Sequence, residues 1–150
     1  MTSIELDWRD YWSFGLGLGL MPWAPGTFGS ILGVLLTLPT AYMSKYTAMT
    51  WLMVITVFSC YCCHHTYNKL GKKDHKAIVC DEVVGMMFTY MFIPLNVKRA
   101  LWGFIIFRCL DITKPGPIGW MEDKRFGFMG VMADDMVAGL AGFALLGLFF

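Results

Sequence analysis

The sequence predicts an all-α fold: a compact helical membrane protein with about four to five apolar helices and functional loops on one face, the cytoplasmic one. The 150 residues are 57% hydrophobic and only 15% charged, with a mean hydropathy of +0.56. Soluble domains carry roughly a quarter charged residues. The charges that remain cluster at the ends of apolar segments. The length fits a single domain that comprises residues 1–150.

Two apolar stretches are long enough to supply membrane helices, which need about 20 residues. Residues 11–44 and residues 46–68 contain no charged side chain. Prolines and glycines interrupt the first stretch, so it predicts a short N-terminal segment, a loop and a helix over about residues 29–43. The second stretch predicts a helix over about residues 47–67 that is apolar on all sides.

Three later apolar segments are shorter. They run from about Glu82 to Ile93, from Ala100 to Ile112 and from Met136 to Phe150. Segments of this length either pack between longer helices or span a bilayer incompletely. A homodimer would help to cover them, and the sequence leaves the oligomeric state open.

Alternation of the loops between the two ends of the helices defines a first face, which receives the loops around residues 22–29, 69–80 and 111–135. Its cations are Lys69, Lys72, Lys73, Lys76, Lys114, Lys124 and Arg125. The opposite face carries only Lys45, Lys98 and Arg99. The positive-inside rule therefore makes the first face cytoplasmic. Nearly every chemically suggestive residue falls on this face.

Charge and cysteine content exclude several classes of protein. A net charge of +1 provides no electrostatic field that would attract nucleic acid. Five cysteines are an odd number, and no signal peptide indicates secretion, so a disulfide framework is not expected. Residues 62–65 read Cys-Cys-His-His, which we interpret as small apolar helix residues beside polar ones rather than as a zinc site.

Acidic residues border the apolar segments on the first face. They are Asp81, Glu82, Asp111, Asp134 and Asp135. Carboxylates next to a hydrocarbon region are costly and usually functional, and a set of carboxylate oxygens suits a hard cation such as Mg²⁺. Stabilisation by helix N-termini explains four of them individually. It does not explain Asp111, which lies near a predicted C-terminus, so we favour metal binding by some or all of the set.

The block Pro25–Ser30 reads Pro-Gly-Thr-Phe-Gly-Ser and precedes an apolar helix. Thr27 is predicted to cap that helix, and free N–H groups at a helix N-terminus bind phosphate readily. Gly29 and Gly33 also fit the small-xxx-small pattern of a helix-packing face. Phosphate binding and packing therefore remain alternatives for this block.

Cationic and imidazole side chains complete the candidate site. Arg108 and Lys114 lie on either side of Asp111, where arginine can hold phosphate oxygens bidentately and lysine acts as a point charge. Extension of Lys114 to the membrane interface is the alternative. His75 is the stronger imidazole candidate and His64 the weaker one. Each could be a general acid or base, a metal ligand, or a residue with no role in the site. We group His75 with the phosphate-binding residues.

Several hydrolytic mechanisms lack their motifs in this sequence. There is no C-x5-R loop, no D-x-D nucleophile, no G-x-S-x-G and no G-x-x-x-x-G-K-[ST]. The chemistry that remains is water activated by a metal ion, or a metal ion that neutralises a phosphate under attack.

The chain resembles the phosphatidylglycerophosphatase A family in four blocks that span most of its length. They are Pro25–Ser30, Asp74–Gly85, Phe107–Ile118 and Gly127–Gly139. The order and spacing of the blocks are far more specific than any one of them. Departures from the family pattern occur at Gly116, in place of a bulky aromatic residue, and around Gly127, in place of paired glycines. These departures concern the shape of the headgroup loop.

The resemblance implies an all-helical, Mg²⁺-dependent phosphatase of the bacterial inner membrane. Such an enzyme removes the terminal phosphate monoester of phosphatidylglycerophosphate to give phosphatidylglycerol in phospholipid biosynthesis. Carried onto this chain, the acidic set described above is catalytic and binds the metal. The phosphate side consists of Thr27, Arg108 and Lys114.

Two rival hypotheses belong to other classes. A small cation channel or transporter would line its path with intramembrane acids and would conduct ions without releasing phosphate. The Pro25–Ser30 block and Arg108 favour an anion beside the acids, which a simple cation path would not need. A phosphatidyltransferase would use the same metal, but that family spreads its aspartates over regular helical turns, whereas Asp134 and Asp135 are adjacent.

Overall fold

The computed structural model describes residues 5–71, 77–116 and 128–150. Every regular element in these ranges is helical, which confirms the all-α prediction for the described part of the chain. The helices are α1 (Trp8–Ser13), α2 (Pro25–Thr37), α3 (Lys45–Lys69), α4 (Cys80–Thr89), α5 (Val97–Thr113) and α6 (Phe128–Phe149), with 3₁₀ turns at Leu18–Leu20 and Leu38–Tyr42.

Helix α2 begins earlier than predicted and ends earlier. Pro25 occupies its first turn, where a missing N–H and a fixed φ suit a helix start. Pro39 has no N–H to continue the hydrogen bonding, and a 3₁₀ turn replaces the last predicted turn. The predicted capping role of Thr27 was wrong. Ala24 is the N-cap and has no side-chain capping bond, while Thr27 lies within the first turn.

Helix α6 begins at Phe128, well before the predicted start at Met136. Asp134 and Asp135 therefore do not open this helix, as the sequence suggested, but lie within it. No acidic residue occupies its first turn. Since the helix dipole acts mainly within the terminal turns, capping does not account for these two carboxylates, and a functional explanation becomes stronger.

Helix α4 lies at the centre of the molecule. Its 10 residues correspond to a length of roughly 15 Å, too short to span a bilayer. All of them except Glu82 are buried, and α4 packs against α2, α3, α5 and α6. Of the two alternatives for the short apolar segments, packing between longer helices is the one that holds for this helix.

Glycines allow α4 to meet its neighbours at the level of the backbone. A Cβ at Gly139 would lie 2.2 Å from the Gly85 carbonyl oxygen, and one at Gly85 would lie 2.6 Å from the Asp135 carbonyl oxygen. On the other side, a Cβ at Gly33 would lie 2.6 Å from Met86 Cβ. Gly33 therefore belongs to the packing face predicted for α2, and α6 is held close enough to α4 for their carboxylates to meet.

A polar network joins α1 to the C-terminal end of α3. The side chain of Asp10 is fully buried and accepts hydrogen bonds from Thr66 Oγ1 at 2.9 Å and Lys69 Nζ at 2.6 Å. The hydroxyl oxygens of Thr66 and Ser13 also lie 2.9 Å apart, within hydrogen-bond distance. Burial alone would raise the pKa of Asp10, but the hydrogen bonds from Lys69, the Asp7 backbone and Thr66 hold it below its usual value. The Asp10 carboxylate is therefore a structural anion.

Asp10→Asn is expected to lower the free energy of unfolding by roughly 2–3 kcal/mol, because it leaves Lys69 without its partner inside the network. A lowered pKa means that the carboxylate stabilises the fold at neutral pH and that this contribution disappears in acid. The difference in Tm between variant and wild type should therefore be full at pH 7 and shrink below about pH 4. Thermal unfolding in detergent measures it, and a difference independent of pH would contradict the ionic role.

Two of the described helices are long and apolar enough to cross a membrane: α3 and the Met132–Phe149 part of α6. Only about a third of each is buried inside the protein. Outward-facing apolar side chains on α3 and α6 include Val54, Val57 and Leu148, all exposed. Such surfaces are unusual in soluble monomers and typical of contact with lipid or a partner.

Candidate active site

Three carboxylates meet where the first turn of α4 faces α6. Ligand oxygens of Asp81, Glu82 and Asp135 all lie within 4.8 Å of one another. Asp81 and Asp135 are only 7% and 3% exposed, while Glu82 is half-buried. We call these three residues the carboxylate triad. Like charges at this separation repel each other strongly in a buried setting, so the triad requires protons or a cation.

Two oxygens of the triad have no hydrogen-bond partner although they are buried: Asp81 Oδ1 and Glu82 Oε2. Burial, and then the neighbouring Glu82, raise the pKa of Asp81 well above its usual range. Burial, and then Asp135 and Asp111, do the same to the pKa of Glu82. Buried polar atoms are normally satisfied, and unsatisfied ones suggest a missing ion or water. An all-oxygen donor set of this kind fits Mg²⁺.

The other two predicted acids are each paired with a cation. On α5, Arg108 Nη1 donates to Asp111 Oδ2 at 2.5 Å, one helical turn away. Asp111 is buried and most of the Arg108 side chain is shielded from solvent. The guanidinium is thereby fixed in direction, with donors left for another oxygen.

Lys114 forms the second pair. It is the C-cap of α5 and has a left-handed backbone, with φ of +47°. This conformation is uncommon for residues other than glycine, asparagine and aspartate. Its Nζ donates to Asp134 Oδ2 at 2.7 Å. Strained backbone of this kind clusters at functional sites. The strain here turns Lys114 back towards α6, rather than outward to the membrane interface.

The N-terminal turn of α2 touches both groups. A Cβ at Gly26 would lie 2.8 Å from Glu82 Oε1 and 2.9 Å from Arg108 Nη1. A side chain at this position would have to displace the ends of Glu82 and Arg108, so with glycine here the backbone itself lines the site. The N-terminus of a helix carries a partial positive charge and binds anions. Half-buried Thr27 lies next to Gly26 in the same turn. The Pro25–Ser30 block therefore packs directly against Glu82 and Arg108, and phosphate binding by its first turn stays a prediction.

All of the predicted site residues that the structure describes thus gather at one end of the helices. The triad forms a half rich in negative charge. Arg108, Lys114 and the start of α2 form a half that offers positive charge, and Asp111 and Asp134 hold its two side chains. Phosphoryl chemistry needs groups that can hold a divalent cation on one side of the site and groups that can hold a phosphate on the other.

His75 lies outside the described residues. His64 is exposed on α3, where its ring nitrogen lies 3.1 Å from the Asn68 amide nitrogen. Cys62 and Cys63 are buried in α3, as expected for small apolar helix residues. The potential metal-binding groups in the described part of the chain do not include these cysteines.

One acidic group was missed by the sequence reading: Asp7, Asp10 and His65, whose ligand atoms lie within 4.8 Å of one another. Asp7 is paired with Arg9 at 2.8 Å and Asp10 with Lys69 at 2.6 Å. The charge of both carboxylates is already balanced, so the group is structural. The spacing Asp7-x-x-Asp10 is the signal that could have found it, because the two residues form a capping box at the start of α1.

Comparison with known proteins adds an independent line of support. The family model for phosphatidylglycerophosphatase A matches residues 11–150. A phosphatidylglycerophosphatase A from Escherichia coli strain K12 is 40% identical over 137 residues, which cover 88% of this chain and 77% of that protein. Its namesake from Haemophilus influenzae is 38% identical over 133 residues, 84% of this chain and 78% of the relative.

A third relative, from Bacteroides thetaiotaomicron, bears a provisional name as a phosphatidylinositol-3-phosphatase. It is 32% identical over 140 residues, which cover 88% of this chain and 87% of that protein. No solved structure matches the chain significantly. The family match extends over almost the whole sequence and includes every described residue of the site. The chain is therefore a phosphatase that belongs to the phosphatidylglycerophosphatase A family.

Proposed function

We propose that the protein hydrolyses the terminal phosphate monoester of phosphatidylglycerophosphate with the help of Mg²⁺, giving phosphatidylglycerol and inorganic phosphate. The observation that carries this proposal is a buried carboxylate triad with orphaned oxygens beside two held cations and a helix N-terminus. The names of two relatives, phosphatidylglycerophosphatase A, support the choice of substrate.

Asp81, Glu82 and Asp135 would hold the metal ion. Their oxygens are hard ligands, and one oxygen each of Asp81 and Glu82 has no hydrogen-bond partner. When bound, Mg²⁺ polarises a phosphoryl oxygen and makes a bound water more acidic. The positive charge of the ion would offset the repulsion between the buried carboxylates.

Arg108, Lys114 and the first turn of α2 would bind the phosphate oxygens. The guanidinium can donate to two oxygens at once, whereas the ammonium contributes a point charge. Asp111 and Asp134 keep these cations at fixed positions before the substrate arrives. Such preorganisation avoids rearrangement as charge develops on the phosphoryl group.

Glu82 adjoins both halves of the site, since its Oε1 lies against Gly26 and near Arg108. We assign this Oε1 as the base that accepts a proton from the attacking water, while Oε2, which has no hydrogen-bond partner, is left for the metal ion. The water oxygen forms a bond to phosphorus as the bond to the glycerol oxygen breaks. The proton accepted by Glu82 then passes to the departing glycerol oxygen, so the carboxylate ends the cycle as it began.

The same proposal places the protein in the bacterial cytoplasmic membrane as a multi-pass enzyme with its site towards the cytoplasm. The lengths and apolar composition of α3 and α6 support this. Lys69 and Lys114, both on the first face, agree with the positive-inside rule. A lipid phosphate could then enter the site at headgroup depth while its acyl chains remain in the bilayer.

Phosphate release from phosphatidylglycerophosphate tests the proposal directly. The purified protein is expected to release phosphate in millimolar Mg²⁺ and to lose nearly all turnover in EDTA, with recovery when Mg²⁺ is restored. Full turnover in EDTA would exclude the metal. Preference for phosphatidylinositol 3-phosphate would reassign the substrate to that suggested by the Bacteroides relative's name. Cation flux through proteoliposomes without phosphate release would favour the channel hypothesis.

A further inference from the structure

An exposed apolar segment joins α1 to α2 beside the active site. Its outward side chains are Leu16, Leu20, Met21 and Trp23, all exposed, with Trp23 78% exposed. We call these four residues the apolar loop. They lie in the stretch from residue 11 to residue 44 that contains no charged side chain.

The backbone of this segment is fixed against the rest of the protein. A Cβ at Gly19 would lie 2.1 Å from the Ala77 carbonyl oxygen, and one at Gly15 would lie 2.7 Å from Val79 Cγ2. The Gly19 N–H donates to the Phe14 carbonyl oxygen at 2.7 Å. Leu16 adopts a left-handed backbone, with φ of +58°, which costs energy for a leucine. The segment is thus built to present apolar side chains outward.

The apolar loop lies within reach of the site. Trp23 precedes Gly26 by three residues, so their Cα atoms are separated by at most about 11 Å. Gly26 itself lies against Glu82 and Arg108. Trp23 is therefore close enough for the apolar part of a lipid substrate to reach it from a phosphate held in the positive half of the site.

We propose that the apolar loop binds the acylated glycerol of the phospholipid substrate. This inference rests on the proposed function and adds a recognition surface to it. In phosphatidylglycerophosphate, a glycerol and a phosphodiester separate the terminal phosphate from the acylated glycerol. The apolar part therefore begins some distance from the reacting phosphorus, as the offset between Gly26 and Trp23 requires. Trp23 suits this boundary because indole rings prefer the interface between headgroups and acyl chains.

Trp23→Ser, compared on two substrates in detergent micelles, tests the assignment. One substrate is long-chain phosphatidylglycerophosphate, and the other is its deacylated, water-soluble headgroup phosphate. The ratio of kcat/KM for the long-chain substrate to kcat/KM for the deacylated one is expected to fall about tenfold, equivalent to roughly 1.4 kcal/mol. Trp23→Phe should restore most of the ratio, because it keeps an aromatic apolar surface.

Tyr42→Ser is the matched control. Tyr42 is 95% exposed and ends the 3₁₀ turn at the far end of α2, roughly 25 Å from Gly26 along the two helical segments. Its removal should leave the ratio unchanged. An equal proportional loss on both substrates in Trp23→Ser would indicate a structural role and overturn the inference. So would a loss confined to vesicles and absent in micelles, which would mark the loop as a bilayer anchor only.

The two proposals fail in different ways. If the wild-type protein releases no phosphate from phosphatidylglycerophosphate, the proposed function fails and the substrate-binding role of the loop fails with it. If the wild-type protein is active but Trp23→Ser keeps the wild-type ratio, only the role of the loop is refuted.

Discussion

Asp81→Asn is expected to reduce phosphate release at least about 100-fold, or roughly 2.7 kcal/mol in the activation barrier, and to raise the stability of the metal-free protein. The amide keeps the shape of the carboxylate but loses the charge that would attract Mg²⁺. Removal of a proposed ligand should therefore weaken Mg²⁺ binding at least about tenfold as well. Titration of Mg²⁺ by calorimetry measures this separately from activity.

The gain in stability follows from the surroundings of Asp81. Its carboxylate is buried beside Glu82 and Asp135, and its Oδ1 has no hydrogen-bond partner. Because the pKa of Asp81 is raised, the metal-free protein must at neutral pH either bury this charge or take up a proton on folding, and both destabilise the folded state. A neutral isostere should therefore gain roughly 1–3 kcal/mol when no metal is bound. Sites that sacrifice stability for function commonly behave in this way.

Asp10→Asn is the matched control for this variant. It makes the same chemical change at another buried aspartate, one whose carboxylate is paired with Lys69. The expected changes in Tm have opposite signs: upward for Asp81→Asn in EDTA and downward for Asp10→Asn. If both variants lower Tm equally, the Asp81 carboxylate is a structural anion and the proposed metal site is wrong.

The fold and the identity of the acids could be predicted because composition and position carry that information. Charge-free stretches predict apolar helices, and carboxylates next to them are rare enough to stand out. The helix starts were less accessible. Pro25 fits a first turn as well as a loop, and no Ser, Thr, Asp or Asn directly precedes the observed start of α6, eight residues before Met136, to mark it.

The grouping of the acids depends on three-dimensional packing and could not be read from the chain. Asp134 and Asp135 are neighbours, but successive residues point in directions about 100° apart around an α-helix. As a result Asp134 meets Lys114, whereas Asp135 meets Asp81 and Glu82. The sequence gives no indication of this division, because it depends on how α6 is rotated against α4 at the Gly85–Gly139 contact.

The division leads to a second large expected effect. Asp111→Asn should lower kcat/KM for phosphatidylglycerophosphate about 30-fold, roughly 2 kcal/mol, while the dissociation constant for Mg²⁺ changes by less than about threefold. The reason is that Asp111 is engaged with Arg108 at 2.5 Å and, although its charge acts on Glu82, it is not among the carboxylates whose ligand oxygens lie within 4.8 Å of one another. Its loss frees the guanidinium from the position in which it would meet the phosphate.

A comparison with Asp81→Asn separates a positioning residue from a metal ligand. Both variants lose activity, but only Asp81→Asn should lose Mg²⁺ affinity. Asp134→Asn is expected to follow Asp111→Asn, because Asp134 holds Lys114 in the same way. Weakening of Mg²⁺ binding in Asp111→Asn to the extent seen in Asp81→Asn would place Asp111 among the ligands and contradict the division of the site.

A double-mutant cycle makes the positioning role of Asp111 quantitative. Arg108→Gln removes the group that Asp111 holds, so adding Asp111→Asn to it should cost little more activity than Arg108→Gln alone. The coupling between the two sites should then be close to the whole effect of Asp111→Asn. If the losses instead add, Asp111 acts on the reaction independently of Arg108, and its carboxylate must contact the metal, the water or the substrate itself.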